Sequence, residues 1–187
     1  MVEVLELTLS VQRARGKWRY RGGERPAFAE ACSPGEESVW DFPRPPRLER
    51  VAELLLAGRG ELVVATTRHG VRILETAGAP TYYFPREDVK ASLLLDLDER
   101  SSCEWKGLAT NFCLRGETHD TRMAGWRYDT TFPEFESIRG WFAFHPGVLT
   151  CFIGDEQVRP QPGGYYGGWV TKHLKGPIKG GSGSEVW

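Results

Sequence analysis

Glu61-Leu62-Val63-Val64-Ala65-Thr66, then Arg68-His69-Gly70, then Val71-Arg72-Ile73-Leu74-Glu75: two β-branched runs around a glycine-bearing turn decide the fold class. Neither run carries apolar residues at helical spacing, and both fit strands of an antiparallel hairpin. Working outward, residues 51–56 pass through Ala57-Gly58-Arg59-Gly60 into the first run, which adds a strand before it. Residues 81–84, 107–114, 123–128, 141–145 and 149–153 give further strands, the last turning at Gly154-Asp155-Glu156 toward Gln157-Val158. Leu5, Leu7, Leu9 and Val11 alternate, which predicts a first strand near the start of the chain. Helical signals are confined to two proline-led turns, at 85–89 and 133–138. The expected fold is mainly β, with antiparallel meander or Greek-key sheets forming a sandwich, tent or open barrel and few short helices; α+β is the alternative.

At 187 residues, with 40% hydrophobic and 26% charged side chains, the chain has enough apolar surface for one ordinary core. Its net charge of −1 lacks the basic excess that duplex nucleic acid demands, so no duplex nucleic-acid partner is expected. No apolar run approaches the length of a membrane span, and the start of the chain lacks the basic and apolar regions of a signal peptide. A cytoplasmic location without a membrane partner is the expectation. Cys32, Cys103, Cys113 and Cys151 form no CxxC pair, and His119 and His145 follow no zinc-finger spacing. Reduced thiols and no metal or other cofactor are expected.

Two stretches depart from ordinary loops. Residues 33–47 contain Trp40-Asp41-Phe42-Pro43-Arg44-Pro45-Pro46, stiffened because each proline fixes its own φ and restrains its predecessor. Residues 163–187 carry eight of the 22 glycines, interleaved with Tyr165, Tyr166, Trp169, Lys175 and Lys179. A flexible linker lacks such large anchors, so this tail is expected to dock.

These motifs resemble an uncharacterised bacterial family, DUF427. The blocks that carry the resemblance are residues 37–46, 72–76, 82–89, 103–107, 124–128, 165–171 and 176–183, which together span about Ser33 to Trp187 in the family's order. The resemblance implies a mainly β domain over 33–187 with a docked tail, and leaves residues 1–32 as a β extension of the same domain. It brings no established activity. A nucleotidyltransferase-like label sometimes attached to the family finds no support in the residues: Asp96-Leu97-Asp98 lies among leucines and charges, not in a glycine-rich setting that would hold magnesium beside a triphosphate.

Several segments could carry chemistry. Arg86, Glu87 and Asp88 follow Tyr83-Phe84-Pro85; adjacent carboxylates suit acid-base work, or simply meet a helix dipole. Lys106, between Trp105 and Gly107, is a partly desolvated amine of lowered pKa, an ammonium presented to an anion, or a surface lysine packed on an indole. Residues 176–183 could form an anion nest helped by Lys179, or a glycine strap across the sheet. Trp40 and Trp169, in proline- and glycine-rich loops, are the better pocket walls, whereas Trp126 and Trp141 read as core. Asp41, Arg44, Glu75, Tyr83 and Tyr166 complete the candidate ligand set from the same motif blocks. The functional expectation is a pocket for a small polar ligand, with or without catalysis. The alternatives are a partner-binding or self-associating module, which includes a homo-oligomer, and anion or nucleotide binding at the tail.

Overall fold

The computed structural model describes residues 5–116, 122–185 and 187; His119 and residues 1–4 of the expected first strand lie outside them. Along the chain run α1 (Leu9–Gly16), β1 (Glu37–Ser38), β2 (Arg47–Arg50), β3 (Leu55–Arg59), β4 (Leu62–Thr67), β5 (Val71–Leu74), β6 (Thr81–Phe84), β7 (Leu94–Cys103), β8 (Gly107–Leu114) and β9 (Gly125–Thr131). There follow β10 (Phe142–Phe144), β11 (Thr150–Ile153), β12 (Glu156–Gln157), β13 (Arg159–Pro160), β14 (Trp169–Val170) and β15 (Leu174–Lys175). The two proline-led turns are short 3-10 helices at Arg86–Asp88 and Pro133–Ile138.

The fold is mainly β, as the residues predict, and does not close into a barrel. Seven strands pair in the order β2-β5-β6-β10-β9-β8-β7, and four more in the order β12-β11-β3-β4. Both sheets are antiparallel throughout, while β1 pairs with β15 in parallel. Alternation assigns the faces. Tyr82 and Phe84 of β6 enter a core shared with Leu55, Val64, Phe112, Phe144 and Trp169, between the two sheets. Tyr83 points the other way, into a second core with Ile73, Trp105, Tyr128 and Ile138. A third cluster of Val39, Trp40, Phe42, Leu74 and Val170 lies where the tail meets the β5–β6 turn.

The expected β extension at residues 1–32 is corrected: the described part of it contains the helix α1 and no strand. Thr8 caps it, its hydroxyl accepting from the Val11 N–H at 3.4 Å, and Gln12-Arg13-Ala14-Arg15 are good helix formers. The period-two run offered no competing gain, because no residue of α1 is buried and Leu9 stands exposed.

Candidate functional site

Three cations gather on the outer face of the large sheet around one carboxylate. Lys106 ends the Glu104-Trp105-Lys106 turn from β7 to β8. The next residue, Gly107, has φ +132°, and a Cβ there would lie 2.2 Å from the Thr130 carbonyl. Only glycine lets the chain pass so close to β9, and this passage fixes where Lys106 leaves the sheet. Its Nζ reaches Glu75 Oε2 at 3.5 Å, and its side chain is 12% exposed. Glu75 directly follows β5, and its other oxygen, Oε1, accepts from Arg44 Nε at 3.3 Å and lies 3.2 Å from Arg44 Nη2.

Arg44 is fully engaged. Its Nη1 donates to the Tyr20 and Trp187 carbonyls at 2.8 and 3.0 Å, and its Nη2 to the Thr76 carbonyl at 2.9 Å. With 1% of its side chain exposed, it works as a structural knot and as a fixed positive charge.

Lys179 is the third cation. The tail carries it in by two backbone bonds: its N–H donates to the Ala77 carbonyl at 2.7 Å, and its carbonyl accepts from Gln161 Nε2 at 2.8 Å. The residue is only 5% exposed. Nζ lies 3.4 Å from the centre of the Trp18 ring and 5.1 Å from that of Tyr166. Among the described residues it has neither a hydrogen-bond acceptor nor a carboxylate in ion-pair range. The Arg44 guanidinium sits over the same Trp18 ring at 4.5 Å, so one indole covers two cations. That indole is tied down through Nε1, which donates to Glu104 Oε1 at 2.6 Å. Beside them, the Tyr83 hydroxyl and the Trp126 indole N–H are buried and make no hydrogen bond. The tail lies directly on Trp126, because a Cβ on Gly167 would come within 2.3 Å of its ring.

The two lysines are tuned in opposite directions. Burial works against charge on Lys106, but Cys103, Glu75 and Tyr83 around it more than compensate, and its pKa is raised. The lowered value expected for Lys106 is therefore corrected. Lys179 has no such partner. Burial, helped by the neighbouring Arg44 cation, brings its pKa down to about 8. Burial also pushes Tyr83 and Tyr166 up to about 12.

Of the expected ligand residues, Arg44, Glu75, Tyr83, Lys106, Tyr166 and Lys179 meet here. Trp40 and Trp169 do not. Both are wholly buried: Trp40 packs edge-on against Tyr20, Phe28 and Trp187, and Trp169 stacks on Tyr82 and donates Nε1 to the Phe144 carbonyl at 3.0 Å. The pocket walls expected from them are core, because proline and glycine neighbours let these loops dock instead of standing free. Trp187 likewise packs against Phe28 and Trp40, whereas Tyr165 of the tail stays exposed. Asp41 pairs with Arg25 at 2.5 and 2.7 Å on the surface. Arg86 and Glu87 are exposed, and Asp88 accepts from Thr67 of β4 at 2.5 Å, on the side of the small sheet. The glycine strap satisfies amides with its own side chains: Gly180 N–H donates to Ser184 Oγ at 2.9 Å and Gly183 N–H to Glu185 Oε1 at 3.0 Å.

The residue missed from sequence is Trp18. Its signal was the alternation Lys17-Trp18-Arg19-Tyr20-Arg21, aromatic and basic in turn, just before the stretch that carries the family resemblance. Cys32, Cys103, Cys113 and Cys151 are all free thiols. No helix of the described residues is long and apolar enough to cross a membrane.

Comparison with known proteins places residues 47–154 in a family described as a domain of unknown function, DUF427. The matched stretch is shorter than the motif blocks suggest; it holds Glu75, Tyr83 and Lys106 and leaves out Trp18, Arg44, Tyr166 and Lys179. No curated protein matches the chain. With more than half of its length matched, over β2 to β11, the chain belongs to the DUF427 family.

Proposed function

We propose that the chain binds a small anionic molecule between Lys106 and Lys179, beneath Trp18. The observation that carries this reading is Lys179, a residue only 5% exposed whose ammonium faces two aromatic rings and has no anion of its own. Its neighbours Arg44 and Lys106 already divide the two oxygens of Glu75. Partial desolvation of a cation that has no counter-ion costs stability. An arriving carboxylate or similar anion would relieve that cost, and ring faces beside the charge suit a small organic acid. The tail amides already have intrachain acceptors, which favours the lysine pair over a backbone nest as the anion site.

The test is a thermal-shift and calorimetric screen of the intact protein with oxalate, malonate, inorganic phosphate and ATP. Small carboxylates are expected to raise the melting temperature, and Lys179→Met to abolish the rise while the fold, read by circular dichroism, persists. If no anion stabilises either the wild type or Trp18→Ala, in which the cover is removed, the reading fails.

A further inference from the structure

Lys179 combines four properties seldom found together in a lysine held for packing alone. It is buried, it lacks any acceptor on Nζ, it lies beside the immobile Arg44 cation, and its backbone is held at both N–H and C=O. Burial and a like charge favour the neutral amine, against the pull of the Trp18 and Tyr166 ring faces toward the ammonium, and the lone pair of the neutral nitrogen is a nucleophile. The two backbone bonds fix where the side chain starts, so the amine is presented to one place. Lys106, held charged and already paired with Glu75, would supply a second cationic contact; Arg44 links the two lysines, sharing Glu75 with Lys106 and the Trp18 ring with Lys179. An ammonium that stays charged orients a carboxylate, whereas an amine that gives up its proton attacks a carbonyl.

We propose that Lys179 forms a reversible imine with a small oxo acid, an aldehyde or ketone that also carries a carboxylate, while Lys106 holds the carboxylate. This rests on the anion-site reading above and adds a covalent step to it. The neutral Nζ attacks the carbonyl carbon; the C–N bond forms as the carbonyl π bond opens onto oxygen. Nitrogen gives up its two protons and, by way of solvent, that oxygen takes up two; it leaves as water as the nitrogen lone pair closes the C=N bond. Amine and carbonyl give imine and water, with no oxidant or reductant. Trp18 covers the amine at 3.4 Å and must swing aside for entry. Entry needs the Trp18 Nε1–Glu104 bond at 2.6 Å to break, while α1, just before Trp18, has no residue in the core.

The experiment incubates the full chain with glyoxylate and sodium cyanoborohydride near pH 7.5, which reduces any imine to a stable secondary amine, and maps the modified lysine by peptide mass spectrometry. Lys179 is expected to be labelled about tenfold or more faster than the exposed Lys90 and Lys172, since a larger share of its amine is neutral. Trp18→Ala should speed the labelling further, and Lys179→Arg should remove it while keeping the stabilisation by oxalate, which has no aldehyde or ketone. If oxalate stabilises but Lys179 is labelled no faster than Lys90 and Lys172 in both the wild type and Trp18→Ala, the imine is overturned and the anion site stands. If oxalate gives no stabilisation and no lysine is preferred, both fall together.

Discussion

Gln161 holds Lys179 from behind. Its Nε2 donates to the Lys179 carbonyl at 2.8 Å, while its Oε1 accepts from the Ala79 N–H at 3.0 Å, so one buried amide joins the tail to the turn after β5. Glu75 lies in that same turn region, which means the side chain that sets the carboxylate and the strap that sets the amine share a brace. Gly168 keeps the brace possible, because a Cβ there would come within 2.1 Å of Gln161 Oε1.

Gln161→Leu is therefore expected to cost about 2–4 kcal/mol, since it strands a buried N–H and a buried carbonyl together. Urea unfolding checks it. A loss within a few tenths of a kcal/mol would show that the tail does not depend on the amide.

Gly180 and Gly163 pass face to face. A Cβ on Gly180 would lie 1.9 Å from the Pro162 carbonyl, and Gly180 has φ +129°. Gly180→Ala should destabilise the protein by about 2 kcal/mol or more. It should also weaken oxalate binding, because Lys179 is the adjacent residue; unchanged binding at reduced stability would separate the strap from the site.

Arg44→Lys keeps the charge and loses the fork. An ammonium cannot reach the Tyr20, Thr76 and Trp187 carbonyls and Glu75 together. A loss of about 2–4 kcal/mol in denaturant melts is expected, from the carbonyls left unpaired.

The pH dependence of Lys179 has a definite sign. Below about pH 8 its ammonium is charged in both the folded and the unfolded chain, and burial counts against the folded one. Between about 8 and the ordinary value of 10.5 the folded chain gives up the proton first, so the unfolded chain binds more protons and stability rises with pH. Lys179→Met lacks this rise. The difference in unfolding free energy should move in the wild type's favour across that window, and a flat difference would show that Lys179 titrates normally.

The sheet was readable wherever both faces of a strand are buried or the turn chemistry is strict. Thr81–Phe84 and Gly107–Leu114 match the expected strands residue for residue. The two-residue strands β1, β13, β14 and β15 escaped, and the strands of the large sheet that escaped, β2 and β7, are its two outer edges. Their Arg47-Leu48-Glu49-Arg50 and Asp96-Leu97-Asp98-Glu99-Arg100 are charged, as edges exposed to solvent tend to be, which hides the alternation. In the site, Arg44, Glu75, Lys106 and Lys179 stood out because polar residues among prolines and glycines rarely serve packing alone. Trp18 did not, because a single ring in a basic segment reads as surface until the charges beneath it are known. Trp40 and Trp169 misled for the opposite reason: stiff loops look like places for a guest, yet stiffness also lets a loop lie flat on a core.

Arg44 takes carbonyls from Tyr20, from Thr76 and, 143 positions along the chain, from Trp187. Contacts at such separation form late, after closure of long loops. On the ribosome, strands β2 to β11 can pair while the arginine still waits for its last acceptor to emerge. A nascent chain stalled before Trp187 would carry the folded sheet with one contact of the Arg44 guanidinium still unmade.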